Sequence, residues 1–276
     1  MKAYTIKLIN EYNFLQGGEL ACQITERPFP EETSWKRPAV IIVPGGGYWH
    51  VSKREGEPIS NAFMALGYQT FILNYLCAPQ SVRYPEQLLE LASAVDYVKK
   101  HAQELNVNDK EIFIVGFSAG GHLAGNLSVS YSKIFDLAGV KLDCKPTAIC
   151  LAYPVISYEY GHTGSFDNLL QGYSENEKEC LIKETNLDDK VSCNTPPTFL
   201  WCTAQDKIVP PENTLRYALA LAKFNVPYEL HIYPLGPHGL SNGSVEVNSF
   251  AHGIPKVSGW LKDCADFFRM YVQEKF

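Results

Sequence analysis

The sequence contains no long hydrophobic run and no excess of positive charge, and each absence excludes a class of function. No apolar stretch approaches the roughly 18 residues that a membrane-spanning helix needs, so no membrane partner is expected. The 30 acidic side chains outnumber the 24 lysines and arginines, giving a net charge of −6, so no nucleic-acid partner is expected. Residues 1–7, MKAYTIK, have neither the apolar core nor the cleavage site of a signal peptide, which predicts a cytoplasmic location.

Paired cysteine motifs and phosphate-binding glycine motifs are also missing. The eight cysteines are scattered without a Cys-x-x-Cys pair, so we expect reduced thiols and no metal site. Neither the P-loop pattern G-x-x-x-x-G-K-[ST] nor a helix-opening G-x-G-x-x-G with a distant acidic residue is present. Nucleotide binding is therefore not predicted.

Short apolar segments rich in branched residues alternate with helical patterns along the chain. Apolar residues recur at helical spacing after Pro85 and again after Pro211, and proline suits the first turn of a helix. The alternation predicts an α/β fold, with a mostly parallel central sheet and helices on both faces. Six segments are predicted as its parallel strands: Ala39–Val43, Thr70–Asn74, Ile112–Phe117, Ala148–Ala152, Thr198–Thr203 and Tyr228–Tyr233.

Two regions depart from this alternation. Tyr4–Ile9 and Leu20–Thr25, separated by Gly17-Gly18, predict an antiparallel hairpin at the edge of the sheet. The stretch 155–195 is long for a connection, and we interpret it as a small cap inserted over the carboxyl end of the sheet. An ordinary helix with a long surface loop is the alternative. No repeat or linker divides the sequence, so residues 1–276 are predicted to form a single domain.

Residues 116–120 read Gly-Phe-Ser-Ala-Gly between the apolar run 112–115 and the helical start 121–124. Strand, G-x-S-x-G and helix in this order are typical of a nucleophile elbow, which places Ser118 on the sharp turn. Glycine is needed at 116 and 120 because a Cβ there would crowd the strained backbone. We predict Ser118 as a nucleophile; a glycine-rich turn without chemistry is the alternative.

A serine hydroxyl becomes a useful nucleophile only when a base takes its proton and an acid orients that base. Asp206 follows the predicted strand Thr198–Thr203, and His238 follows Tyr228–Tyr233. The chain order serine, aspartate, histidine, each just after a strand, matches that of hydrolases with this elbow. The predicted triad is Ser118, Asp206 and His238.

Other histidines and aspartates are candidates for the same roles. His122 comes just after the elbow and is expected to pack beneath it as a structural histidine. His252, in a polar segment, is the main alternative to His238. Asp188 and Asp189 are the alternatives to Asp206, but their charged run is typical of a solvated face.

A glycine segment, Pro-Gly-Gly-Gly-Tyr at 44–48, follows the first long strand. Acyl transfer passes through an oxyanion that needs donors already aimed at it. Glycines let backbone N–H groups approach a substrate closely, and esterases carry such a segment at this place. The amide of Ala119, directly after the nucleophile, is the predicted second donor.

Over nearly its whole length the chain resembles α/β-hydrolases, on the strength of 43–48, 116–124 and 233–239. Within them it is similar to small intracellular esterases related to acetyl xylan esterases, bifunctional acetylxylan/feruloyl esterases and the hormone-sensitive-lipase-like group. The resemblance implies hydrolysis of carboxylic esters, often acetyl groups on sugars, without a cofactor. By position it implies that Gly46, Gly47 and Ala119 supply the oxyanion N–H groups. Pro44 stands where the lipase group has histidine, which favours the sugar-esterase side.

Substrate contacts are predicted less sharply. Tyr48 and Trp49 could line the mouth of the pocket, where aromatic faces suit sugar rings, or they could simply pack on the insertion. Arg54, Glu55 and Glu57 in the same loop could bind hydroxyls or form a solvated charged loop. The expected partner is a small-molecule ester; the oligomeric state is open, with a homodimer as one option. A prolyl-oligopeptidase-type serine peptidase and a non-catalytic binding protein are the alternative functions.

Overall fold

The structure is a computed structural model that describes residues 1–29, 31–32, 34–160, 162–248 and 254–272. Its centre is one eight-stranded sheet in the order β1-β2-β4-β3-β5-β6-β7-β8. In chain order, the strands are β1 (Lys2–Lys7), β2 (Glu19–Ile24), β3 (Arg37–Val43), β4 (Gln69–Asn74), β5 (Val107–Phe117), β6 (Ala148–Ala152), β7 (Thr198–Thr203) and β8 (Tyr228–Tyr233).

The sheet is parallel except at its amino-terminal edge. β1 pairs with β2 and β2 with β4 in antiparallel fashion, while the pairs from β4 through β3, β5, β6 and β7 to β8 are all parallel. Both the mostly parallel sheet and the edge hairpin predicted from the sequence are confirmed. The hairpin strand β1 ends two residues earlier than predicted, because Leu8–Asn10 turns into a 3₁₀ helix and buries Leu8.

Helices cover both faces of the sheet, as predicted. They are α1 (Glu57–Ala65), α2 (Glu86–Lys100), α3 (Ala119–Ser130), α4 (Ile134–Ala138), α5 (Thr163–Leu169), α6 (Glu175–Thr185), α7 (Glu212–Lys223), α8 (Pro255–Ser258) and α9 (Trp260–Arg269). Further 3₁₀ turns span Lys53–Glu55, Ala78–Gln80 and Tyr131–Lys133. The helices α2, α3 and α7 contribute to one core, and α1 and α9 to the other.

The strand β3 shows why this sheet needs cover on both sides. Val40 and Ile42 belong to the core under α1 and α9, whereas Ala39, Ile41 and Val43 belong to the core under α2 and α3. Successive side chains of a strand point to opposite faces, so a run apolar at every position is stable only between two layers. The uninterrupted apolar runs read from the sequence are the consequence.

The chain between β6 and β7 holds α5 and α6 in place of a single crossover helix. The stretch predicted as an insertion, 155–195, lies here. Within the described part of the chain, no helix combines the length and apolar character that a bilayer crossing requires.

Candidate active site

Ser118 lies between β5 and α3 with φ 52° and ψ −117°. An L-residue at positive φ is strained, and such strain persists only where the surrounding structure enforces it. The Ser118 amide donates to the Ala152 carbonyl of the neighbouring strand, and its carbonyl accepts from the amides of His122 and Val155. These bonds fix the backbone on both sides of the turn and leave the hydroxyl facing the cleft above the sheet.

The two flanking glycines are required sterically, as the sequence argument expected. A Cβ at Gly116 would lie 2.5 Å from the carbonyl oxygen of Gly120. A Cβ at Gly120 would lie 2.1 Å from the carbonyl oxygen of Val43. Both contacts are with backbone, which has little freedom to move, so α3 can approach β5 and β3 this closely only with glycine at these positions.

The three residues predicted as a triad lie within hydrogen-bond distance of one another. Ser118 Oγ is 2.9 Å from His238 Nε2, and His238 Nδ1 is 2.6 Å from Asp206 Oδ2. The other carboxylate oxygen of Asp206 accepts from the amides of Ile208 and Val209, at 3.0 and 2.9 Å. Asp206 is buried, so these amides hold its carboxylate towards the imidazole.

This arrangement also assigns the histidine tautomer. The Asp206 carboxylate accepts, so His238 Nδ1 carries the proton and donates it to Oδ2. The bare Nε2 then faces Ser118 Oγ and accepts its proton. A serine hydroxyl bonded in this way is poised to act as a nucleophile.

The glycine segment after β3 forms a tight turn beside Ser118. Gly46 has φ 122° and Gly47 φ 63°, and the Gly46 carbonyl accepts from the amides of Trp49 and His50. A Cβ at Gly45 would lie 2.7 Å from the Phe117 carbonyl oxygen, so the turn packs directly on the elbow. We call residues 44–50 the oxyanion turn.

The amides of this turn differ in what they bind. Gly45 donates its N–H to the buried Glu55 Oε2 at 2.8 Å, which leaves Gly46 and Gly47 as the next candidate donors towards the cleft. Ala119 is the first residue of α3, so its N–H has no intrahelical partner and lies at the positive end of the helix dipole. Of the three residues named from sequence for oxyanion binding, Gly46 and Gly47 line the same cleft as Ser118, and Ala119 directly follows it.

Tyr48 does not line the mouth of the pocket, so that expectation was wrong. It is 1% exposed, and its hydroxyl is 2.8 Å from His122 Nδ1. His122 Nε2 donates to the Thr185 carbonyl, so Nδ1 is the acceptor of the tyrosine proton. The positive φ of 58° at Tyr48 turns the side chain down beneath the oxyanion turn, and His122 is the structural histidine expected there.

Trp49 differs from its neighbour. Its side chain is 58% exposed and borders a cleft of about 340 Å³ that contains Ser118 and His238. Residues of the stretch 155–195 form another wall of this cleft: His162, Ser165 and Asn168. Asn168 Nδ2 also donates to the Gly47 carbonyl at 2.8 Å, which ties α5 to the oxyanion turn.

Two buried residues behind the triad were missed or misread in the sequence. Tyr153 donates its hydroxyl proton to Glu55 Oε1 at 2.7 Å and accepts the Ser241 amide at 2.9 Å. Burial, together with the adjacent Glu55 carboxylate, raises the pKa of Tyr153 well above its ordinary value, so it remains a donor. Its ring lies edge-on to His238, 5.0 Å between centroids. We call the described residues 234–248, which follow β8 and contain His238, the histidine loop. Glu55 and Tyr153 thus join the oxyanion turn to the histidine loop.

Arg54 acts on the histidine loop from the other side. Its guanidinium donates to the carbonyls of Val247 and Gly239 and to Asn248 Oδ1, at 2.6 to 2.8 Å. Gly239 directly follows His238. Arg54 therefore holds the histidine loop in place, and the solvated charged loop considered from sequence is not what forms here.

The alternatives to the triad lie elsewhere or cannot be placed. Asp188 accepts from Arg216 Nε at 2.7 Å, and His252 lies outside the described residues. In the described part of the chain, no cluster of three or more His, Cys, Asp or Glu side chains could hold a metal ion. All eight cysteines are unpaired.

Comparison with known proteins identifies the family of this chain. The BD-FAE family model matches residues 28–221, a range that contains Ser118 and Asp206 and ends before His238. Endo-1,4-beta-xylanase B of Butyrivibrio fibrisolvens is 35% identical over 75% of this chain and 33% of that protein. An acetylxylan esterase of Xylanibacter ruminicola is 30% identical over 78% of this chain and 43% of that protein. The chain thus spans less than half the length of these two curated relatives.

A solved structure matches the chain along almost its full length. It is an acetyl ester-xyloside bifunctional hydrolase from Caldicellulosiruptor lactoaceticus, 34% identical, with a TM-score of 0.81 over 97% of this chain and 96% of that one. The chain therefore belongs to the BD-FAE family of α/β-hydrolase-type esterases.

Proposed function

We propose that this chain is a serine carboxylesterase that removes short acyl groups, above all acetyl, from sugars. The observation that carries the proposal is the continuous hydrogen-bonded path from Ser118 Oγ through His238 to the buried Asp206 carboxylate. Ser118, at one end of this path, lies beside the oxyanion turn, whose backbone amides can donate hydrogen bonds to an oxyanion.

The proposed reaction has two halves. Ser118 Oγ attacks the ester carbonyl while His238 Nε2 takes its proton, and Asp206 stabilises the resulting imidazolium. The amides of Gly46, Gly47 and Ala119 donate to the developing oxyanion. His238 then gives its proton to the leaving alcohol, and the acyl group stays on Ser118. A water activated by the same histidine releases the acid and restores the serine.

The walls of the cleft support a small polar alcohol. Beside the triad they present His162, Ser165 and Asn168 from the stretch 155–195 and Arg54 from the other side. Polar groups at several points around a pocket favour a hydroxylated ring over an alkyl chain. We propose that 155–195 acts as a cap that shapes this pocket within one domain, 1–276. The names of the xylanase, acetylxylan esterase and xyloside hydrolase relatives point to acetylated xylose units.

The test compares purified wild type with Ser118→Ala on p-nitrophenyl acetate, acetylated xylose and an aminoacyl p-nitroanilide. We expect wild type to release acetate from both esters and Ser118→Ala to lose at least about 10³-fold in kcat. Ser132→Ala, at an exposed serine on the 3₁₀ turn Tyr131–Lys133, is the matched control and should behave as wild type. Equal ester turnover by Ser118→Ala, or faster cleavage of the amide than of the esters, contradicts the proposal.

A further inference from the structure

A second cleft adjoins the catalytic one and is not used by the proposed reaction. It has a volume of about 470 Å³ and runs between the hairpin β1–β2 and the chain that follows β4. Trp49 and His50 border both clefts. The two spaces are therefore neighbours across the rim of the oxyanion turn.

The rim between the clefts is held rigidly. The Trp49 amide donates to the Gly46 carbonyl at 3.0 Å, inside the turn that also carries the candidate oxyanion donors. The Tyr48 carbonyl accepts the Ala78 amide at 2.8 Å, and Ala78 follows Cys77 on the wall of the second cleft. The backbone that carries Trp49 is thus in fixed register with the elbow, since the same turn packs on the elbow through Gly45.

The lining of the second cleft is mostly apolar, with a few charged and amide groups. Ile9 and Pro79 offer apolar surface, and Lys7, Glu19 and Asn74 offer charged or amide groups. Lys7 and Glu19 are cross-strand partners at the ends of β1 and β2. An alkyl chain would desolvate these charges without any return, whereas a sugar has hydroxyls for them and a C–H face for the exposed indole of Trp49.

We propose that the second cleft binds the neighbouring sugar unit of an oligosaccharide whose acetylated unit occupies the catalytic cleft. The inference rests on the proposed function and adds to it a chain length: the preferred substrate has at least two linked sugar units. Trp49 is the platform between the two units, and Asn74 is a hydrogen-bonding group for the distal one. No chemical step occurs in the second cleft.

The experiment measures kcat/KM for monoacetylated xylose and for xylobiose carrying its acetyl group on the same ring position. For wild type we expect the disaccharide to be favoured by about tenfold or more, the ratio that one occupied subsite supplies at 1.4 kcal/mol. Trp49→Ala should bring this ratio close to one, mainly through KM, and Asn74→Ala should lower it by several-fold. Both changes are at exposed positions, so unfolding temperatures should stay near that of wild type.

Phe135→Ala is the matched control, because Phe135 is an equally exposed aromatic, 58%, on α4 and borders neither cleft. It should leave the ratio unchanged. A wild-type ratio near one, or a ratio that neither Trp49→Ala nor Asn74→Ala alters, overturns the second-cleft proposal while ester hydrolysis stands. Absence of acetate release from every ester overturns the proposed function and this inference together.

Discussion

The elbow and the histidine loop carry Ser118 and His238 of the candidate triad, and they are held in different ways. At the elbow, the positive φ of Ser118 is enforced by β5, α3 and glycines at 116 and 120. The histidine loop also contains residues at positive φ, among them Gly239 and Ser241, but distant polar side chains bind it as well. Arg54 holds it from about 185 residues away in sequence, and Tyr153 bonds the Ser241 amide across 88 residues.

The conformation of the elbow is thus set mainly by steric contacts, whereas the position of the histidine loop depends on hydrogen bonds from distant side chains. Backbone contacts at the elbow allow one conformation and cannot adjust. Even one added methyl group at a glycine there should therefore strongly destabilise the fold. Hydrogen bonds to the histidine loop each contribute modestly, and losing one loosens the loop without unfolding the sheet. We therefore expect changes at the elbow to affect stability first and changes at the loop anchors to affect turnover first.

The largest effect is expected for Gly120→Ala. The added Cβ would meet the carbonyl oxygens of Val43 and Pro44 at 2.1 and 2.3 Å, so β3 or α3 must move. We expect a loss of more than roughly 4 kcal/mol in the free energy of unfolding, measured by urea denaturation. Gly259→Ala is the control, because its φ is −62° and a Cβ there meets only ordinary contacts. Similar stability of the two variants would contradict steric control of the elbow.

A smaller effect is expected from His122, which lies with Tyr48 beneath the oxyanion turn and makes the free energy of unfolding depend on pH. Burial lowers the pKa of His122 to about 4 from an ordinary 6.5, and its contacts, Tyr48, Thr185 and Phe166, carry no charge. The unfolded chain therefore binds a proton between these values that the folded chain does not. This contribution is fully present above about pH 6.5 and lost as pH falls towards 4, by roughly 3 kcal/mol.

Urea denaturation at several pH values between 7 and 4.5 measures this contribution. We expect His122→Gln to show a shallower fall in unfolding free energy over the range than wild type. His101→Gln, at a partly exposed histidine after α2, should keep the wild-type slope. Parallel pH profiles for wild type and His122→Gln would show that the buried imidazole does not titrate as described.

The smallest effect is expected for Arg54→Met, which should raise the activation free energy of turnover and leave stability almost unchanged. The variant keeps the aliphatic stem and removes the guanidinium bonds to Val247, Gly239 and Asn248. We expect kcat on p-nitrophenyl acetate to fall tenfold to a hundredfold, about 1.4 to 2.7 kcal/mol, with little change in unfolding temperature. Arg83→Met, which removes a comparable bond to Gly172, should leave kcat unchanged. A pure KM effect would mean that Arg54 acts on substrate instead of the loop.

Local patterns carried most of what was predicted correctly. The strands β6, β7 and β8 have the predicted bounds. The first two are recognisable as apolar runs, and β8 is recognisable from its branched and aromatic residues. The elbow was recognisable because its five-residue motif lies directly between a strand pattern and a helix pattern, although the contacts that require glycine at 120 come from Val43 and Pro44. Tyr48 was misplaced because its direction depends on a positive φ and on a partner, His122, that lies 74 residues further on.

The roles of Glu55 and Tyr153 could not be predicted from the sequence around either residue. Glu55 lies in a charged run that predicts a solvated loop, yet its carboxylate is buried between the Gly45 amide and the Tyr153 hydroxyl. Only the folded chain brings these groups together, since 98 residues separate the glutamate from the tyrosine. Neither the segment around Glu55 nor the segment around Tyr153 contains a pattern that predicts this contact.

The sequence by itself determined the layered α/β architecture and the chain order of the candidate nucleophile, acid and base, because apolar periodicity and the G-x-S-x-G motif are local patterns. Tertiary structure alone decided which side chains anchor the oxyanion turn and the histidine loop, and that Trp49 faces two clefts while Tyr48 is buried. Those outcomes depend on polar contacts across the whole chain, whose partners are chosen by the way the sheet and its loops pack.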